Sequence, residues 1–443
     1  MWVCLAVLCA LASACRQVPV EPPEEVGPFQ ATGTLSTDHN DVASAVAVGE
    51  QGDVFVAGVQ AYDAASPYGI GRGEQLRGFL NRYGVLGEGL VWQTIIDPPC
   101  PKRLRSGEDA DLCAARIADL EVVGGDLYVA VETVSRGEVE TGRPVAYTFK
   151  YDADGDLLWQ KSLTSATASR PLSLAGAPDG SIYVLWQEYG ATPDGPIRGA
   201  FVGVYLGKLS ASGEGEWFVE LEQVPSYEAG GAASPYREVA DVATLGETVL
   251  VASSSALQAF SATGEWLWQT PLEDAPTDTA TLEVGERFYT RTELVTGGDR
   301  VYVGRSSLEY RGDPPPVAPR LDLMALSGTG EAVWRETFGD ETTDISDVRL
   351  AADGAGRLTV VGTSQARVPE GSSGPFNFLG TYLTQSSSVD RKRLGLLGAV
   401  QDLGIANDAI YMVGVTNFND RAGMRSTDAF LSVASPGGLQ TQK

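Results

Sequence analysis

Few residues in this chain could do chemistry. It holds one histidine, His39, and five cysteines among 443 residues. A single imidazole makes His-based zinc, haem and triad chemistry a poor fit, and no Ser or Cys constellation pairs with His39. His39 therefore reads as a solvated turn residue. The run Asp152-Ala153-Asp154-Gly155-Asp156 superficially matches an acidic Ca²⁺ loop. It lacks the spacing and the terminal bidentate Glu of such a loop, so it reads as a backbone turn. Arg311-Gly312-Asp313 matches an attachment tripeptide by letters only. No catalytic residue, metal site or cofactor is assigned from the sequence, and an enzyme is the less favoured reading.

Charge narrows the partners. The formal net charge is −26, whereas nucleic-acid binding is driven by Lys and Arg on phosphates. Nucleic acid is therefore not an expected partner. Hydrophobic residues make up 43%, enough for a large core, and 52 glycines point to many tight turns.

The N-terminal stretch 2–14 is one apolar run, shorter than the about 20 residues a spanning helix needs. It has signal-peptide length. Leu11-Ala12-Ser13-Ala14-Cys15 resembles the bacterial lipobox, which implies a lipid on Cys15 and attachment to a membrane. No Lys or Arg precedes the run, where secretion signals usually carry one. A Pro/Glu-rich stretch follows and suits a tether. With Cys4 and Cys9 removed and Cys15 acylated, Cys100 and Cys113 remain. An even remainder in an exported chain reads as a disulfide, contributing roughly 3 kcal/mol. Free thiols or half a metal site are the alternatives, and no histidine lies nearby to complete the latter. The expected division is signal peptide 1–14, lipidated tether 15–27, propeller 28–435 and tail 436–443.

Around these residues one pattern recurs seven times: an alternating strand, a Gly/Asp turn, then a strand of V-aromatic-V form. Phe55, Tyr128, Tyr183, Leu250, Tyr302, Thr359 and Tyr411 mark the second strands, about 59 residues apart on average. A second motif, Gly-turn then Trp, lies between them at Trp92, Trp159, Trp268 and Trp334, with weaker form near 209–220. Two hairpins per unit make a four-stranded propeller blade. The Trp side chains are expected to pack between blades. The last unit has three strands, and 28–37 is an orphan extended segment. The expected fold is all-β: a seven-bladed β-propeller of four-stranded antiparallel blades, closed by that N-terminal segment pairing with the last blade, with six or eight blades left open because the copy at 378–395 lacks its Trp.

These units resemble bacterial β-propeller repeats of the SBBP type, and 239–270 leans toward pyrroloquinoline-quinone-type repeats. The resemblance implies an envelope lipoprotein and is nearly silent about activity, because propellers host many functions. It also brings two alternatives: a scaffold of outer-membrane protein assembly, or a propeller enzyme such as a quinone-dependent dehydrogenase or glycan lyase. Arg16, standing where an aspartate is linked to inner-membrane retention, favours the outer membrane, with the propeller periplasmic or at the cell surface.

In such a blade the second-to-third-strand loop and the inter-blade connection share one face. Here those segments are long, at 60–77, 134–144, 187–199, 305–319, 364–375 and 416–427 among others. The turns of the opposite face are short. Long loops concentrate binding residues, and Tyr and Arg dominate hot spots. Candidates on this face are Tyr62, Tyr68, Arg72, Tyr189, Arg198, Tyr227, Tyr236, Arg237, Tyr310, Arg311, Arg367 and Arg421. The expected function is non-enzymatic recognition of a protein or glycan.

Overall fold

A computed structural model describes residues 31–34, 41–62, 75–99, 113–135, 144–163, 168–189, 201–221, 240–253, 255–272, 287–310, 317–338, 343–366, 376–383, 386–394, 398–407, 409–419 and 425–434. Apolar alternation and Gly/Asp turns fold them into successive four-stranded meanders.

The first blade is β2 (Asp41–Val48), β3 (Val54–Tyr62), β4 (Gln75–Tyr83) and β5 (Leu90–Ile96). The second is β6 (Cys113–Val123), β7 (Asp126–Ser135), β8 (Val145–Tyr151) and β9 (Leu157–Ser162). The third is β10 (Ala168–Gly176), β11 (Ile182–Tyr189), β12 (Phe201–Leu209) and β13 (Gly215–Glu220). The fourth is β14 (Asp241–Leu245), β15 (Thr248–Ala252), β16 (Ala256–Ser261) and β17 (Trp266–Pro271). The fifth is β18 (Arg287–Gly297), β19 (Arg300–Tyr310), β20 (Val317–Ser327) and β21 (Ala332–Phe338). The sixth is β22 (Thr343–Ala352), β23 (Leu358–Ala366), β24 (Phe376–Leu383) and β25 (Ser386–Leu394). The remaining sheet joins β26 (Gly398–Ala406), β27 (Ala409–Asn419) and β28 (Arg425–Ala434) to β1 (Ala31–Thr34), in the order β1-β28-β27-β26.

The expected count of seven is thereby corrected in kind. Six sheets are complete blades cut from contiguous chain, and the other is a composite of three C-terminal strands with a short N-terminal piece. That piece is the described part, 31–34, of the expected 28–37. It pairs as Ala31 with Ser432, Gly33 with Leu431 and Thr34 with Phe430, with an irregularity between Ala31 and Gly33. Contact around the ring does not depend on β1: each first strand touches the next, and β26 touches β2.

The core lies between blades. The V-aromatic-V strands are buried on both faces; Val54, Phe55, Val56 and Ala57 are at most 3% exposed. One cluster combines Phe55, Leu80 and Ile96 of the first blade with Ile117, Leu127 and Phe149 of the second. Another joins Val54 and Phe79 to Tyr411 and Leu431 across the closing seam. Burying each such side chain stabilises the fold by roughly 2 kcal/mol.

The Trp residues fasten these seams from outside. Trp92 lies over the third-to-fourth-strand turn of the next blade, and its Nε1–H donates to Ala153 O at 3.1 Å. Trp159 does the same to Ala211 O at 3.0 Å, and Trp217 to Ala262 O at 3.1 Å. Trp268 lies against Gly330 of the next blade's turn, and Trp334 packs in the cluster shared by the fifth and sixth blades. Asp152 is therefore a turn residue: its Oδ1 accepts the N–H groups of Asp154 and Asp156. Trp159→Ala removes this ring and its edge contact with Tyr128, at 5.8 Å between centroids. A loss of about 3 kcal/mol is expected, read as a shift in urea midpoint. Trp159→Phe should recover most of it; equal loss for both variants would show that ring packing is not what holds the seam.

Candidate functional site

The first strands β2, β6, β10, β14, β18, β22 and β26 surround a central channel of about 430 Å³. One register position recurs around it. Aligned through their partners in the second strands, Ala45, Asp119, Ser173, Asp241, Glu293, Arg349 and Asp402 occupy it in turn. Six of the seven are polar, which a purely structural strand would not require.

Together they form a belt. Asp119 Oδ1 accepts the N–H of Leu120 in its own strand, at 2.8 Å, and Oδ2 accepts that of Leu174 in the next blade, at 2.7 Å. Asp241 repeats this with Val242 and Leu294, at 2.9 and 2.7 Å. Asp402 repeats it with Leu403 and, across the closing seam, Val46, at 2.8 and 2.7 Å. Ser173 Oγ lies 3.1 Å from Asp119 Oδ2 and 2.5 Å from Asp241 Oδ1, bridging two carboxylates. Glu293 pairs with Arg291 and with Arg349 Nη1, the latter at 3.6 Å. Arg349 Nε donates to Gln401 O in the next blade. Only the step from the first blade to the second lacks such a link through this position, because Ala45 has no polar side chain.

Crowding these acids shifts their protonation. Burial, helped by the neighbouring carboxylates, raises Asp119 well above the ordinary range. Burial likewise pushes Glu121 to about 7, although the Gly176 N–H opposes the rise. Asp241 rises to about 7 through burial and then Glu293, and Asp402 to about 6 through burial despite its bond from Val46. Asp119, Asp241 and Asp402 are engaged by backbone amides and Glu293 by arginines, and together they link one blade to the next. Among the described residues no cluster of His, Cys, Asp and Glu has the geometry of a metal centre.

The sequence-derived candidates lie elsewhere. Tyr62, Tyr189 and Tyr310 end β3, β11 and β19, so they belong to strands and not to the loops first assigned to them. β19 and β20 pair as far as Tyr310 with Val317, which leaves 311–316 as the connection in place of 305–319. Tyr68, Arg72, Arg198, Tyr227, Tyr236, Arg237, Arg311, Arg367 and Arg421 lie outside the described residues, as do His39, Cys15 and Cys100. Cys113 opens β6. The strand bounds do fix which end each connection serves. Connections 63–74, 136–144, 190–200, 367–375 and 420–424, with 97–112 and 221–240 between blades, all serve one end of the ring. The opposite end has turns such as 124–125, 246–247 and 298–299. The belt was missed at the sequence level; its signal was a polar residue at one register of six of the seven first strands.

Sheets of four antiparallel strands set around a channel define a β-propeller. No family model matches the chain, and no curated protein matches it. Solved structures do. The WD40 domain of Pan2 from Neurospora crassa is 10% identical with a TM-score of 0.46, covering 89% of this chain and 90% of its own. The β-propeller domain of the Trilobed protease from Pyrococcus furiosus is 10% identical with a TM-score of 0.43, over 89% and 94%. An α-L-arabinanase from Penicillium chrysogenum, complexed with arabinobiose, is 8% identical with a TM-score of 0.43, over 94% and 98%. Likeness at this level says nothing about activity. The class rests on the chain's own sheets.

Proposed function

We propose that this chain is a lipid-anchored envelope β-propeller that works as a binding scaffold, presenting its long-connection end to a protein or glycan. The observation that carries this reading is the inequality of the two ends: nearly every long connection serves one of them. A rigid ring tolerates insertions at either end, so their concentration on one end marks the end under selection for contact. The Tyr and Arg residues of those connections supply the side chains that dominate recognition. The channel supports a scaffold role too, because its carboxylates are engaged in holding blades together. Cys15 supplies the anchor, and a Cys100–Cys113 bridge would pin the long connection between the first and second blades.

The test replaces 190–200 and 311–316 by short Gly-Ser links, which leaves every described strand intact. Envelope extracts are then passed over the wild-type and variant propellers. The variant should lose the wild-type's captured partner while its melting temperature stays within a few degrees. Retention of that partner by the variant would show that this end is not the binding surface.

A further inference from the structure

The outer wall of the ring is unusually apolar where its fourth strands begin. Leu90 and Val91 on β5 are 54% and 57% exposed, and Val85, in the turn before it, is 50% exposed. Ile95 extends the patch along the same strand. β5 reads LVWQTII and carries no charge, although it is the edge of its sheet. Edge strands in water are ordinarily protected by charges, especially Lys, or by Pro. A bare one in a chain of net charge −26 calls for a cover.

The topology says what lies beside it. β1 is the outermost strand of the composite sheet, which neighbours the first blade in the ring; β28 touches the Val85–Gly87 turn. β28 leaves the long connection 420–424 and ends at the short-turn end. β1 runs antiparallel to it and therefore starts at the short-turn end. β5 starts at that same end, after the turn that follows β4. The chain preceding Ala31 thus leaves the ring on the same rim that exposes Val85, Leu90 and Val91. Between Cys15 and β1 lie residues 16–30, which can reach at most about 50 Å when extended.

We infer that the outer wall of the first blade along β5 rests on the bilayer to which Cys15 is anchored, leaving both ends of the ring, the long-connection end included, in water. The inference relies on the lipid-anchored reading above. Its occupant is lipid, because the tether delivers this wall to the bilayer and Val85, Leu90, Val91 and Ile95 offer it apolar side chains, with Glu88 and Asp97 at the margins. The acidic turns lie on the short-turn face. A ring standing on its side wall keeps that face in water.

The test uses the full-length protein, produced in a bacterial host that acylates lipoproteins and reconstituted into phosphatidylcholine vesicles. A benzophenone side chain is placed singly at position 91, at 95, or at 333. Val333 is 43% exposed on β21 of the fifth blade, two sheets away from the one that holds β1. Irradiation should attach lipid at 91 and 95 at least fivefold more than at 333. Equal attachment at all positions, or preference for 333, overturns the inference. Mass analysis of the N-terminal peptide is read from the same samples. An unacylated Cys15 removes the anchor and with it the lipoprotein reading; an acylated Cys15 with uniform attachment sinks only the orientation. Leu90→Gln with Val91→Gln should lower attachment at 95 at unchanged melting temperature.

Discussion

Gly330→Ala is expected to lower folding stability by about 4 kcal/mol. Two costs combine at this position. Gly330 has φ +81°, a left-handed conformation that costs an L-residue about 1–2 kcal/mol. The added methyl would also stand 2.4 Å from Thr270 Oγ1 and 2.5 Å from Trp268 Cζ3. Neither neighbour can yield cheaply. Thr270 Oγ1 donates to Gly330 O at 2.9 Å, and Trp268 is packed into the core of the fourth and fifth blades. Overpacking of this kind costs roughly 1–3 kcal/mol. Gly124→Ala is the control, since Gly124 has φ +61° with nothing within 4 Å of the new methyl. It should cost only about 1–2 kcal/mol. Urea midpoints at one pH compare the two. Equal losses would mean that the Trp seat contributes nothing beyond turn strain.

That seat shows what the sequence could disclose. The Gly-turn and the Trp stand close together in the chain, so their motif was readable, and so were the V-aromatic-V hairpins with their period of two. Those patterns are local. Trp217 was harder to see, because its strand reads GEWFVE and lacks the apolar pair before the Trp. Strand ends at the long-connection side were misjudged for a related reason. Arg311 to Pro316 reads as a loop, but the pairing of Leu308 with Pro319 and of Tyr310 with Val317 is set by the partner strand and not by local composition. The N-terminal strand Ala31–Thr34 pairs beside the strand of Phe430, a partner some 400 residues away that no local composition could specify.

The belt was illegible for a deeper reason. Asp119 in IADLEVV is one polar residue in an alternating strand, and nothing beside it in sequence explains it. Its partner amide belongs to Leu174, a blade further on. Asp402 answers to Val46, at the opposite end of the chain. Only by superposing the repeats on their V-aromatic-V strands do Asp119, Ser173, Asp241, Glu293, Arg349 and Asp402 fall into one ring position. Register between repeats carries that information, and composition does not. The substitution of Ser, Glu and Arg for Asp within the ring hides it further, because each alters charge while keeping a polar link.

The same belt makes stability rise as the solution is acidified from pH 8 toward pH 5. Asp241 and Glu121 sit at about 7, Asp402 at about 6 and Asp119 well above its ordinary value, all chiefly through burial. Unfolded carboxyls titrate near 4. Between about pH 4 and pH 7 the folded chain therefore holds more protons than the unfolded one, so stability falls as pH climbs through that window. Acids of the opposite kind bound the effect from below. Lys208, at 2.7 Å, holds Asp179 at about 2, so its stabilisation is present above pH 4 and lost as pH falls toward 2. The urea midpoint should thus peak near pH 4–5. Asp241→Ser, which installs the residue type already present at Ser173, should flatten the slope between pH 5 and 7.5 by roughly one proton. A midpoint that instead rises steadily from pH 5 to pH 8 would mean that these carboxylates are already fully ionised inside the ring, with their charge balanced by Arg291 and Arg349.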